Sequence, residues 1–265
     1  MALVETPAIV LRTYRYSETS KVVRLATRDL GVQSAIAKGA LRPKSRFGAG
    51  LELLSEGIAQ LYFRESRELH TLGAFDVLDL RRGLAKDLGR FAGAAALAEV
   101  MLKMAPAAPL PAAYDVLAGA LDALAGADPD EADAVSARAL WLLTGAVGFE
   151  PSLKACARDG AAIPADGQGV VLFSTAEGGV LCPACARSPG GATPTRLPPR
   201  AYSDLIALND PAAALPSLDA PHAAAHRRLA ARFIRHHLGE AGPLPALEFW
   251  ERRAWVTPPL PVAAS

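Results

Sequence analysis

Ala8-Ile9-Val10-Leu11-Arg12-Thr13, the polar break Tyr16-Ser17-Glu18-Thr19-Ser20, then Val22-Val23-Arg24-Leu25-Ala26-Thr27 and the turn Asp29-Leu30-Gly31 decide how this chain begins to fold. Two short runs rich in β-branched residues, divided by a few polar residues and closed by a glycine turn, read as successive strands. Val32 to Ala37 continues the pattern, and Gly57 to Phe63 and Leu69 to Leu78 add two more runs around the charged turn Arg64 to Glu68. Five short strands with no helix between them argue against a parallel sheet and predict a small closed barrel, with the oligonucleotide-binding type the natural candidate and other small barrels left open because periodicity does not fix topology.

The third and fourth strands are joined by Lys38-Gly39-Ala40-Leu41-Arg42-Pro43-Lys44-Ser45-Arg46-Phe47-Gly48. Lys38, Arg42, Lys44 and Arg46 fall at no helix or strand period, so they serve a partner better than a fold. Cations strung along a mobile loop suit a polyanion, because each neutralised phosphate releases counterions. Phe47 is a candidate stacking surface, and Arg12 and Arg24 on the preceding strands complete the expected DNA-binding set. The competing reading is a solvated surface loop. A nucleotide-phosphate loop is excluded by spacing: the lysine comes one position too early, and Pro43, with no amide hydrogen, stands before it.

Charge along the chain supports the polyanion reading. Residues 1–50 hold nine Lys/Arg and three Asp/Glu, a net +6 (9 − 3); the whole 265-residue chain is +1, so residues 51–265 carry −5 (1 − 6). A basic module on an acidic body is the asymmetry of a nucleic-acid binder. With 51% hydrophobic residues the chain can bury a large core. The expected division is a barrel over 1–80 and an α-helical domain over 81–265 with a zinc-ribbon-like insertion at about 150–190, an α+β protein overall. The start has no basic n-region, and the longest apolar stretch, Phe91 to Ala105, is broken by Glu99 and Lys103. The expectation is a cytoplasmic protein with no membrane partner.

Past Leu80, alanine and leucine at helical spacing predict a helix from Leu84 to Met104 ended by Pro106, then helices over Ala112 to Leu124 and Glu131 to Val147. The three cysteines all fall between Cys156 and Cys185, which points to metal rather than disulfides. Cys156-Ala-Arg-Asp159 is followed, after 22 residues with a glycine-rich hairpin look, by Cys182-Pro-Ala-Cys185. Two knuckles around a hairpin are how zinc ribbons present four ligands. With Asp159 in the second place, two readings stay open: one structural zinc with Asp159 or water as fourth ligand, or a degenerate ribbon held by packing.

Pro189 to Pro199 reads as a linker, Arg200 to Leu208 as a short helix, and Pro221 to Leu238 as the last long helix, stopping at Gly239. Arg228, Arg232 and Arg235 on it are a candidate second basic surface, although cations near a helix C-terminus are favoured by the dipole in any case. His222, His226, His236 and His237 read as surface residues, and Phe249, Trp250 and Trp255 as anchors of a terminal tail. No nucleophile with its base, paired carboxylates or dinucleotide fingerprint is visible, so the chain reads as a binding protein and not an enzyme.

Taken together, Val10-Leu11-Arg12 with Tyr16-Ser17-Glu18, Leu25-Ala26-Thr27-Arg28-Asp29-Leu30-Gly31, and above all Ala37-Lys38-Gly39-Ala40 with Arg42-Pro43-Lys44-Ser45-Arg46-Phe47 resemble the RecO family of bacterial recombination mediators. The order of barrel, helices, cysteine knuckles and the closing helix His226-Arg227-Arg228-Leu229 to His236-His237-Leu238-Gly239 is similar to that family as well. The resemblance implies a DNA-binding mediator of recombinational repair that anneals complementary strands and binds the acidic C-terminal tail of single-strand-binding protein. It also implies cooperation with RecR to load RecA. One departure stands out: family members with an intact ribbon have a cysteine where this chain has Asp159. The rivals from other classes are a zinc-ribbon regulator or RNA-binding module, and a cysteine-dependent enzyme.

Overall fold

The computed structural model describes residues 2–48, 50–163, 169–187, 193–239, 242–253 and 255. Five strands form the N-terminal barrel: β1 (Ala2–Arg15), β2 (Lys21–Thr27), β3 (Gly31–Ala37), β4 (Glu56–Phe63) and β5 (Leu69–Asp79). They close in the order β1-β2-β3-β5-β4, every pairing antiparallel except β3 with β5. Strand alternation sorts the side chains. Ala8, Val10, Val23, Leu25, Ala35, Leu61 and Leu72 fill the barrel interior, whereas Ile9, Leu11, Ala26 and Val32 point outward and join the core of the helical part. The barrel therefore has two buried surfaces, and removing Ile9, Leu11 and Val32 from water contributes up to about 1.5–3 kcal/mol each.

The helical part starts with a 3₁₀ turn, Arg82–Lys86, which the sequence reading had merged into the first helix. Asp87 separates the two: its extended backbone and a carboxylate that accepts from the Arg90 amide at 2.9 Å cap a new helix. That helix, α1 (Leu88–Met104), packs with α2 (Pro111–Gly126) and α3 (Ala132–Ala146). A small sheet of β6 (Val171–Ser174), β7 (Gly179–Leu181) and β8 (Thr195–Leu197) follows, in the order β7-β6-β8, with the one-turn helix α4 (Pro183–Ala186) between β7 and β8. Helices α5 (Pro199–Leu208), α6 (Ala220–Leu238) and α7 (Pro245–Arg252) complete the described chain. None of the described helices is long and apolar enough to cross a membrane.

Three sequence expectations are corrected. The stretch taken as a linker contains β8, whose Leu197 pairs with Val171 and is buried; residues 188–192 of that stretch lie outside the described residues. His226 is not a surface residue but 2% exposed on the inner side of α6, where burial pushes its pKa down to about 4. His237 is half-buried between the rings of Phe149 and Phe233, at centroid distances of 5.0 and 4.3 Å. The supposed tail begins as α7, anchored by Trp250, whose indole is fully buried and donates to the Ser136 hydroxyl at 2.9 Å; residues 256–265 lie outside the described residues.

The barrel meets the helices through backbone as well as side chains. Val32 N donates to the Pro106 carbonyl at 3.0 Å, and Gln33 reaches the Ala107 carbonyl at 3.4 Å. At Gly31 the backbone has φ +72°, and a Cβ there would lie 2.1 Å from the Ala108 oxygen, so only glycine fits. On the far side, Arg81 lies wholly inside the seam. Its guanidinium pairs with Glu56 of β4 and, at 2.7 Å, with Asp122 of α2, and it donates to the Leu54 carbonyl at 3.2 Å. Tyr114 of α2 donates its hydroxyl to Glu56 at 2.8 Å; burial, then this bond, push the phenol pKa far up.

Candidate nucleic-acid interface and metal centre

Beyond the helical cover, the outer face of β1 and β2 changes from apolar to cationic. Pairing places Arg12 opposite Arg24 on that face, and Arg15 opposite Lys21 on the other face at the ribbon's end. Like charges directly opposite across a ladder are destabilising, so two such pairs on one ribbon weaken the fold locally. The Nε of Arg24 is buried without a hydrogen-bond partner, and the Arg12 guanidinium lies 5.2 Å from the centre of the Tyr14 ring.

The loop after β3 adjoins this ribbon, with Leu41 N donating to the Thr19 carbonyl of the β1–β2 turn at 3.0 Å. Where the sequence suggested a mobile loop, the chain is wound into consecutive tight turns: Arg42 N to the Gly39 oxygen, Ser45 N to the Arg42 oxygen, Gly48 N to the Ser45 oxygen. Lys38, Arg42, Lys44 and Arg46 are all exposed on it. Phe47 does not present the stacking surface expected of it. Its ring is 3% exposed, packed with Leu51 into the end of the barrel interior, and the Arg46 guanidinium stands 5.2 Å from its centre. Burying an aromatic ring outweighs exposing it for a ligand, so Phe47 anchors the loop.

Arg12, Arg15, Lys21, Arg24, Lys38, Arg42, Lys44 and Arg46 thus lie on one ribbon and the loop beside it, and among the described residues none of them is in an ion pair. Some cations elsewhere are answered, Arg28 by Asp115, Arg158 by Glu177 and Arg227 by Asp133. The two tyrosines of the ribbon were missed in the sequence. Tyr14 and Tyr16 are 44% and 62% exposed, and their signal was the alternation Arg12, Tyr14, Tyr16 at every second residue.

Arg228, Arg232 and Arg235 share one side of α6 but differ in circumstance. Arg228 and Arg232 are exposed, and Arg232 donates to the Thr195 hydroxyl of β8 at 3.0 Å. Arg235 is paired with Glu251 of α7 at 2.5 Å, which cancels much of its charge.

The structure brings all four expected metal donors together: one ligand atom each from Cys156, Asp159, Cys182 and Cys185, all within 4.8 Å of one another. Local folding explains why. Cys156 N donates to the Ala161 oxygen at 2.7 Å, curling the first knuckle, and Ala157 N donates to Val180 of β7 at 2.8 Å, seating it on the hairpin. At Gly179 a Cβ would stand 2.2 Å from the Ser152 oxygen, so glycine permits that approach. In the second knuckle the Cys182 sulfur caps α4 by accepting from Cys185 N at 3.4 Å. Arg158 joins the two, paired with Glu177 at 2.6 Å and donating to the Cys185 carbonyl at 3.0 Å.

The Asp159 carboxylate oxygen lies 3.3 Å from the Cys182 sulfur and 3.1 Å from that of Cys185. Tetrahedral donors at zinc bond lengths stand about 3.5–3.8 Å apart, so a small outward adjustment turns this cluster into a coordination shell. The protonation of the four groups follows from their contacts. Hydrogen bonds from the Cys156 and Cys185 thiols hold the Asp159 carboxyl well below its usual range. Asp159, then burial, push the Cys185 thiol up to about 12. Burial raises the Cys156 thiol, but the Cys182, Asp159 and Arg158 amides outweigh it and lower the net value. A divalent ion would displace the thiol protons that these bonds now use. The donor set therefore fits a metal ion and is compatible with zinc.

A closed oligonucleotide-binding-type barrel, built into a helical body with a four-donor ribbon, is the architecture that this geometry defines. In family comparison, residues 1–81 match the model described as "Recombination protein O N terminal" and residues 85–248 the one described as "Recombination protein O C terminal". The chain is 36% identical over 245 residues to "DNA repair protein RecO" of Anaeromyxobacter sp. (strain K), covering 90% of this chain and 93% of the relative. It is 34% identical over 240 residues to the protein of that name from Rubrobacter xylanophilus, covering 90% and 92%. With the Symbiobacterium thermophilum relative it shares 36% over 193 residues, 72% and 75% of the two chains. The chain belongs to the RecO family.

Proposed function

We propose that this protein acts in DNA repair and recombination as a non-enzymatic mediator, working in the cytoplasm. The ribbon and loop bind single- and double-stranded DNA through phosphates, and Arg228 and Arg232, with a lesser share from Arg235, offer a second basic surface. Two phosphate backbones repel, and two cationic surfaces on one molecule hold complementary strands close enough to pair. An acidic C-terminal tail on single-strand-binding protein is attracted to the same kind of surface, which brings the mediator to coated DNA. From there it acts with RecR to load RecA. The observation that carries this reading is the group of eight cations on the β1–β2 ribbon and its neighbouring loop that have no ion pair among the described residues.

The test is annealing of complementary oligonucleotides coated with single-strand-binding protein, either full-length or lacking its tail, followed by fluorescence. Acceleration without nucleotide hydrolysis, larger with the tail than without it, is the expected result. Equal acceleration removes the tail-docking step, and none in either case removes the mediator reading.

In the same proposal, one structural zinc sits among Cys156, Asp159, Cys182 and Cys185 and joins the two knuckles. A thiolate is a better zinc donor than an exposed carboxylate, so Asp159→Cys should retain zinc through chelator dialysis better than the natural sequence, measured by elemental analysis. Zinc in neither form would mean a ribbon held by packing alone.

A further inference from the structure

We propose that Tyr14 and Tyr16 stack the bases of unpaired DNA and so give the cationic ribbon a preference for single strands; this rests on the DNA-binding reading above. Both rings lie outside the two apolar cores, and neither hydroxyl has a hydrogen-bond partner among the described residues. Exposed aromatics are a loss in water, yet here two stand within three residues, Tyr16 at 62% the more exposed.

Their surroundings say what they would take. The Arg12 guanidinium lies over the Tyr14 ring at 5.2 Å, so one ligand can meet charge and π-surface together. Arg24 is opposite Arg12 on the same face, while the Arg15–Lys21 pair puts two more cations on the other face of the ribbon end. Tyr16 N donates to the Ser20 oxygen at 3.0 Å, closing the β1–β2 turn, and that turn's Thr19 carbonyl receives Leu41 N of the basic loop. Arg12, Arg24 and the tyrosines therefore share one face of the ribbon, and the turn beside them joins that face to the basic loop. That pattern fits a ligand with anionic links and flat apolar groups in alternation, which is single-stranded nucleic acid. Two residues of extended chain span about 6.8 Å, two steps of the roughly 3.4 Å rise between stacked bases, so one strand can place bases against both rings. A duplex keeps its bases stacked inside and offers only phosphates.

The experiment compares the binding of three probes of equal length by fluorescence anisotropy: a single-stranded oligonucleotide, a fully abasic oligonucleotide and a duplex. The natural protein should bind the single strand about tenfold or more tighter than the abasic probe. Tyr14→Leu with Tyr16→Leu, which keeps apolar bulk without a π-face, should abolish that difference and leave duplex affinity and all salt slopes unchanged. Tyr14→Phe with Tyr16→Phe should retain it. Equal affinity of the natural protein for normal and abasic strands, or a leucine variant that keeps the preference, overturns the proposal.

Lys44→Ala with Arg46→Ala separates the two readings. It should lower the salt slope on every probe, so unchanged slopes there, together with a lost base preference in the leucine variant, would reject phosphate binding by the loop and leave stacking standing. Should the leucine variant not fold, Tyr16→Trp supplies the readout: indole emission quenched by the single strand and not by the abasic probe supports stacking, and equal quenching refutes it.

Discussion

Replacing Arg81 by alanine should lower stability by about 3–5 kcal/mol, the cost of breaking a buried charge network from one side. The guanidinium is wholly buried, paired with Glu56 and Asp122 and donating to the Leu54 carbonyl. Alanine leaves a carbonyl and a largely shielded carboxylate without their donor. Arg81 also has left-handed backbone, φ 45°, which costs a non-glycine residue about 1–2 kcal/mol. Arg81→Gly relieves that strain, but the lost pairing is larger, so glycine should destabilise as well, by less than alanine. For a chain of this size the alanine variant should melt about 10 °C lower, read by circular dichroism. Adding Glu56→Gln to it should restore part of the loss, because the amide still accepts from Tyr114 and no stranded charge remains. Unaltered melting of Arg81→Ala would mean that the seam does not depend on this network.

The second large effect concerns binding with the fold intact. Lys38, Arg42, Lys44 and Arg46 are exposed and without ion pairs among the described residues, so changing all four to alanine should shift melting little. If each neutralises one phosphate, the dependence of log affinity on log salt should become shallower by about 3.6 on duplex and about 2.8 on single strands. Between 50 and 200 mM salt, the natural protein should then lose about 150-fold more duplex affinity than the variant does. Filter binding across a salt series reads this directly. Parallel slopes for the two proteins would place the DNA contacts elsewhere.

How much of this was legible in the sequence depended on periodicity. Strands β1 to β5 and helices α1 to α3, α5 and α6 have enough residues for an alternation or a 3.6-residue stripe to show. Strand β8 has three residues between prolines and α7 has eight, which is too little pattern to read. The metal donors were legible because both knuckles are local in sequence, three residues from donor to donor. Arg81 was not, since Glu56 and Asp122 are 25 and 41 residues away and only the closed fold brings them together. Phe47 was misread for a related reason: chemistry names an aromatic among cations as a ligand contact, but the barrel end offered it a hydrophobic socket first.

That socket has a consequence in time. A loop tethered by nothing but its ends must find its bound shape during each encounter, and encounters shorter than that search are wasted. Here Phe47 and Leu51 sit in the barrel end, and the turns from Gly39 to Gly48 are hydrogen-bonded before any partner arrives. The backbone entropy of ordering was spent when the protein folded, and only the long cationic side chains still have freedom to lose, about 0.5–1.5 kcal/mol each. Capture of a passing strand can then run at the pace of electrostatically steered diffusion, and it is release, through counterions returning to the phosphates, that sets how long the strand stays.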